Sequence, residues 1–246
     1  MNTIEQAIQA FLSSKNYAKF YLKAVLFDMD GVLYDSMPNH AITWHKAMKL
    51  HGLDLSYEET FLHEGRKGAE TIQIVCRRQG VEKSDEEITA IYKEKTELFK
   101  KLPETQRMPG SFELLQKIQN EGLMPMIVTG SGQKSLLSDL NISFPSIFQQ
   151  EHMVTSFDVK CGKPNPELYL KALEKGYLKP WEAIVIENAP LGIEAAHKAG
   201  LFTIAVNTGP LPDSCLWDAG ANFLYQDMPT LNKEWEKIKE ALIFIH

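Results

Sequence analysis

Lys23-Ala24-Val25-Leu26-Phe27-Asp28-Met29-Asp30-Gly31-Val32-Leu33 runs from an apolar stretch into two carboxylates spaced two apart, with a glycine directly behind them. The apolar run reads as a strand whose carboxyl end delivers Asp28, followed by a turn at Gly31. Asp28 at a strand end has the layout of a nucleophile for phosphoryl transfer, and Asp30 that of its proton handler. Two acids this close are costly together unless something offsets them, so the pair also invites a divalent cation. A strand that merely ends in a polar turn fits the segment equally well, and a short acidic motif does not decide between the two.

Outward from this stretch, further short β-rich runs alternate with helical patterns. Strands are expected at Ala24 to Asp28, Met124 to Thr129, Ala183 to Glu187 and Phe202 to Val206, with a weaker one at Asn222 to Tyr225. Helices are expected at Ser111 to Glu121, Pro166 to Lys175 and Leu191 to Ala199, stopped by Gly122, Gly176 and Gly200 where left-handed cap residues are needed. The alternation predicts an α/β fold with a doubly wound parallel sheet. The interval from 37 to 106 differs, with helical periodicity, many Lys and Glu residues and no convincing strand. It reads as a helical domain inserted into a core formed by 1–36 and 107–246, with hinges near Asp35 to Pro38 and Leu102 to Pro109. Ligands of open parallel sheets bind beyond the carboxyl ends of the strands, where such an insertion would act as a lid. Ile4, Ala7, Ile8, Phe11 and Leu12 recur at helical spacing behind the candidate cap Thr3, predicting an added amino-terminal helix rather than a signal peptide.

The 246 residues suffice for a full core, and 44% apolar with 24% charged residues is ordinary globular composition. A net charge of -6 offers no basic footprint for nucleic acid or an anionic membrane. Cys76, Cys161 and Cys215 are odd in number, far apart and without metal-like spacing. They fit a reducing, cytoplasmic setting with no disulfide framework. No run approaches membrane-spanning length.

Three later segments bear on Asp28. Val128-Thr129-Gly130-Ser131-Gly132 places a hydroxyl and glycine N–H groups at a strand end, suited to phosphate oxygens, although such residues more often form only a turn. Lys160-Cys161-Gly162-Lys163-Pro164-Asn165-Pro166-Glu167 holds Lys163 in a proline-stiffened loop, where its ammonium could neutralise both a phosphate and the nucleophilic carboxylate. Solvated surface charge is the alternative for any lysine. Ala183-Ile184-Val185-Ile186 runs into Glu187-Asn188, so Asp28, the main-chain carbonyl of Asp30 and Asn188 form a partial oxygen shell for magnesium. Glu187 would lie in or beside that shell. Capping of the next helix is the other reading of Asn188.

In order, these four segments resemble the motifs of the haloacid dehalogenase superfamily from Lys23 to Tyr225, and the insertion is similar to the helical cap of its β-phosphoglucomutase group. The resemblance implies that Asp28 forms an aspartyl-phosphate and that Asp30 protonates the leaving group and then activates the acceptor. It implies that Thr129 and Lys163 hold the transferring phosphoryl group, and that oxygens of the fourth motif join Mg2+. His40 and Lys95 resemble cap residues that help Asp30 swing into place.

The chain departs from that group in three places. Asn188 stands where many relatives carry an aspartate, so Asn188→Asp is expected to tighten magnesium binding. Glu64 stands where the mutase has a lysine, and Gly68 where it has a phosphate-binding arginine. Losing those cations weakens a grip on a bisphosphorylated sugar, although Arg66 and Lys67 are candidates for a substitute clamp. Glu64 could orient a sugar hydroxyl, or bind metal held against a compact substrate such as pyrophosphate. The leading expectation is a Mg2+-dependent phosphohydrolase of a small phosphorylated metabolite. A sugar-phosphate mutase is its rival, and an inactive sugar-phosphate sensor is disfavoured by the presence of both Asp28 and Asp30. Oligomeric state is open, with a monomer as the simplest case.

Overall fold

A computed structural model describes residues 3–132 and 134–244. Six strands, β1 (Ala24–Phe27), β2 (Met124–Val128), β3 (Met153–Val154), β4 (Ala183–Glu187), β5 (Phe202–Val206) and β6 (Phe223–Tyr225), form one sheet in the order β3-β2-β1-β4-β5-β6. Every pairing is parallel, with Phe27 level with Ile127 on one side and Ile186 on the other. The strands are nearly continuous apolar runs because helices cover both faces.

Alternation along each strand divides the core in two. Val25, Phe27, Ile184 and Ile186 pack with α1 (Ile4–Lys15), α6 (Ser111–Asn120) and α11 (Met228–Phe244) through Phe11, Leu115 and Trp235. Leu26, Met126 and Val185 face α8 (Glu167–Lys175) and α9 (Pro190–Lys198) through Leu168, Tyr169 and Ala195. α7 (Lys134–Ser143) and α10 (Asp213–Asp218) complete the layers. The expected amino-terminal helix forms, closed by a capping box between Thr3 and Gln6.

Between β1 and α6 lie four helices and, among the described residues, no strand: α2 (Met37–Leu50), α3 (Tyr57–Leu62), α4 (Gly68–Gln79) and α5 (Asp85–Lys100). They enclose a separate apolar cluster built on Trp44, Met48, Leu53, Ile72, Val75 and Ile91. The chain enters and leaves this layer through two strands of backbone lying side by side, Asp35 N–H donating to the Gln106 carbonyl at 2.9 Å and Met108 N–H to Leu33 at 2.8 Å.

The described elements differ from the sequence reading at α7, α10 and α11, which it did not expect, and in two further ways. β3 is only two residues long, too short for alternation to register. Gly176 is not left-handed: its φ is −83°, and Tyr177 takes the positive value of 53° at the end of α8. Gly122 and Gly200 do adopt positive φ, 73° and 78°. No helix among the described residues is long and apolar enough to cross a membrane.

Candidate active site

β1, β4 and β2 are neighbours in the middle of the sheet, and their carboxyl ends bring Asp28, Glu187 and Thr129 to one edge. The backbone carries the registration past the strands: Asp28 N–H donates to Ile186 and Thr129 N–H to Val154. Lys163, from the loop before α8, is completely buried and its Nζ lies 2.5 Å from both Asp28 Oδ1 and Glu187 Oε1. Glu187 Oε1 also accepts from the Tyr169 hydroxyl at 3.2 Å, while Oε2 accepts from the N–H groups of Asn188 and Ala189 at 2.8 and 2.9 Å. Both Glu187 oxygens are therefore filled. Gly192 of α9 faces this carboxylate so closely that a Cβ there would collide with it.

Burial, with Glu187 and Asp30 nearby, raises the Asp28 carboxyl from 3.8 to about 8 against the opposing pull of Lys163. One ammonium shared by two carboxylates leaves the pocket short of positive charge. Thr129 is buried, and its hydroxyl accepts from the Ser131 N–H at 3.0 Å, which fixes the turn that follows β2.

Asp30 sits at the head of a buried chain of polar groups. Its Oδ1 accepts from Ser36 Oγ at 2.6 Å and lies 3.1 Å from His40 Nε2, and Lys95 Nζ lies 2.7 Å from His40 Nδ1. A lysine can only donate when charged, so His40 Nδ1 accepts and Nε2 carries the proton toward Asp30. Burial works against the charge on Asp30, but His40 and Ser36 together hold its carboxyl below its usual value. Burial also lowers Lys95 to about 7, although Asp30 opposes the change. Trp44 and Phe99 flank the ammonium at 5.4 and 5.0 Å. The sequence offered a solvated helical face as the default for Lys95; the residue is instead 2% exposed.

The segment from His63 to Gly68 closes the site from the helical layer. Gly65 approaches the core so tightly that its carbonyl accepts from Lys163 N–H at 3.2 Å, and a Cβ on Gly130 would strike that same carbonyl. Glu64 is buried, and its two oxygens accept from Asn188 Nδ2 at 3.0 and 3.2 Å. Burial raises the Glu64 carboxyl well above its ordinary value, with Asp28 and Glu187 adding to the effect. Arg66 lines the cavity, and its Nε is buried without a hydrogen-bond partner. Lys67 does not: its Nζ is 2.5 Å from the Val159 carbonyl, so it ties the two layers together. Any side chain at Gly68 would run into the ring of Tyr92, which fills that wall.

The cavity between the two layers has a volume of about 60 Å³. Asp28, Asp30, Thr129, Gly130 and Ser131 line it from the sheet side, and His40, Glu64, Arg66 and Lys95 from the helical side. Lys163 reaches this group through Asp28, and Asn188 through Glu64. Ser36, Tyr92 and Tyr169 were missed by the sequence reading. Ser36 looks like an ordinary helix cap and Tyr169 like a core position of α8, so neither carries a local signal.

The magnesium implied by the resemblance fits these residues. Asn188 Oδ1 is buried with no hydrogen-bond partner, since Glu64 takes the amide nitrogen instead. Among the described residues no three His, Cys, Asp or Glu side chains converge on a metal position, so a cation would rest on mixed oxygens.

Fold and motif order define a class. The sequence profile of the haloacid dehalogenase-like hydrolases matches residues 25–206, and the chain belongs to that family. It is an enzyme of the phosphatase or phosphotransferase type, and its likeness to the β-phosphoglucomutase group holds. A solved structure from Bacteroides vulgatus, provisionally called a beta-phosphoglucomutase, is 59% identical, covers 98% of each chain and superposes with a TM-score of 0.95. A phosphorylated carbohydrates phosphatase of Thermotoga maritima is 30% identical across 86% of this chain and 97% of its own. Hexitol phosphatase A of Escherichia coli is 31% identical across 75% of this chain and 83% of its own.

Proposed function

We propose that this chain is a Mg2+-dependent phosphohydrolase of a compact phosphorylated metabolite, working through an aspartyl-phosphate on Asp28, with residues 37–106 as a lid. One observation carries the reading: Asp28 and Asp30 open onto the same cavity, whose far wall is supplied by the helical layer.

Asp28 attacks phosphorus, and Lys163 offsets charge on the carboxylate and on the phosphoryl oxygens. The Thr129 hydroxyl and the Gly130 N–H hold those oxygens, and the Ser131 N–H fixes the turn by donating to Thr129. Asp28, the carbonyl of Asp30 and Asn188 Oδ1 would hold magnesium, which supplies positive charge to the transferring group. Glu187, with both oxygens filled, anchors Lys163 rather than binding metal. Ser36 and His40 steady Asp30 Oδ1 and hold the carboxyl ionised, leaving the other oxygen to take the proton of the attacking water. A closed lid excludes bulk water and strengthens each of these contacts.

Two features favour small substrates such as pyrophosphate over hexose bisphosphates. Tyr92 occupies the space above Gly68, and Glu64 brings a carboxyl where a cation would grip a distal phosphate. Arg66, with its unpartnered Nε facing the cavity wall, suits an anionic leaving group. The names of the phosphatase relatives support phosphorylated small molecules as the substrate class. The rival mutase reading draws on the Lys95–His40–Asp30 chain and on the name of the Bacteroides vulgatus neighbour.

The test is a screen of phosphate release from pyrophosphate, sugar phosphates and nucleotides, with interconversion of glucose 1-phosphate and glucose 6-phosphate followed in parallel. Magnesium-dependent phosphate release, greatest for compact substrates, is expected. Interconversion with little free phosphate would establish the mutase instead.

A further inference from the structure

Tyr169 lies outside the cavity, yet its hydroxyl and ring both meet the Lys163–Glu187 pair. It is completely buried on α8, six residues after Lys163 and joined to it by the proline-stiffened loop. Its hydroxyl donates to Glu187 Oε1, the same oxygen that holds Lys163, and its ring centroid lies 5.4 Å from Lys163 Nζ. Glu187 Oε2 is taken by two backbone N–H groups, so the carboxylate cannot turn away. Lys163 is thus suspended between two acids at equal 2.5 Å distances, over an aromatic face.

An ammonium shared in this way has a preferred side whenever one acid loses charge. On the reading above, the charge of Asp28 passes into the bond to phosphorus and onto the phosphoryl oxygens, so Lys163 must follow the transferring group while Glu187 keeps its full charge on the other side. A donor already on Glu187 Oε1 reduces the electron density available to Lys163 there. We infer that Tyr169 is a positioning residue for phosphoryl transfer: by sharing Glu187 Oε1, its hydroxyl keeps the Lys163 ammonium over Asp28 and the transferring group instead of letting it collapse onto Glu187. The inference rests on the proposed roles of Asp28 and Lys163 and adds a residue that never touches substrate.

The test is Tyr169→Phe, which keeps the ring, its packing and its π face and removes only the donor. The expected result is a cooperatively melting protein whose kcat falls about tenfold to a hundredfold, the scale of a hydrogen bond to a charged group. KM for pyrophosphate should stay unchanged, because the loss is felt in the transition state. In a Glu187→Gln background the same substitution should cost little more, since Tyr169 acts through that carboxylate. Unchanged kcat in a folded Tyr169→Phe protein overturns the inference. So does a loss that simply adds to that of Glu187→Gln, which marks a packing role. Asp28→Asn separates the two levels: if it retains wild-type turnover, the nucleophile assignment fails, whereas a dead Asp28→Asn beside a fully active Tyr169→Phe rejects only the role of Tyr169.

Discussion

Asp30 and Tyr92 govern different properties of the same cavity. Asp30 is held at Oδ1 by Ser36 and His40, and removing its carboxyl takes away the group proposed to carry the proton. Asp30→Ala should slow turnover by about two to four powers of ten, read as kcat with pyrophosphate, and near-normal rates would remove Asp30 from the chemistry. Tyr92 restricts space instead. Tyr92→Ala should raise turnover of hexose phosphates relative to pyrophosphate by about tenfold or more, and an unaltered substrate profile would show that the ring does not set the size limit. The acids and Lys163 were legible in the sequence because strand ends and stiff loops announce them. Tyr92 was not: its effect depends on the absence of a side chain at Gly68, a contact across 24 positions that no local pattern records. Lys95 was legible only through the family likeness, because its burial among Trp44, Phe99 and His40 arises from the packing of α2 against α5.

The loop between α3 and α4 docks on the core through glycines as well as through the side chains of Glu64 and Lys67. Gly130 admits the carbonyl of Gly65, and Gly162 admits the backbone at Arg66 and Lys67. A methyl group at either core position must push the loop away, at a cost of about 1–3 kcal/mol to the closed arrangement. Gly162→Ala, which lies farther from the transferring group, should therefore raise KM several-fold to about a hundredfold with the fold preserved. Wild-type KM would show that closure does not depend on this seam. At this scale the sequence marked five strands and the helices α6, α8 and α9 to within a residue or so, but not α7, α10 or α11. It also gave the two prolines that bracket the helical layer. It did not mark β3, whose two residues pair only because β2 already stands beside them, nor the shift of the left-handed turn from Gly176 to Tyr177.

Across the whole molecule, the four carboxyls of Asp28, Asp30, Glu64 and Glu187 are gathered under very little positive charge. Asp28 is raised from 3.8 to about 8 by burial and its acidic neighbours, and Glu64 is raised as well. For a raised group the folded state holds its proton longer than the unfolded chain does. The contribution to stability is then complete below about 4 and is lost as pH climbs through about 8. The metal-free protein should accordingly melt at progressively lower temperature between pH 5 and 8, and millimolar magnesium should flatten that slope by favouring the ionised carboxylates. Identical slopes with and without the ion, measured by calorimetry, would argue against a cation among these acids. This arrangement was only partly legible beforehand: the motifs supplied Asp28, Asp30 and Glu187, but Glu64 joins them only when the helical layer packs onto the sheet.

The central claim is that a phosphoryl group passes through Asp28 on its way to water. It is tested most directly by rapid acid quench of the Asp30→Ala protein with radiolabelled pyrophosphate and magnesium, followed by peptide mapping. Pyrophosphate needs little help to expel its leaving phosphate, so the first transfer should survive this substitution while hydrolysis of the intermediate stalls. Near-stoichiometric label on the peptide carrying Asp28 is the expected result. Phosphate release with no label on that peptide at any time would contradict it.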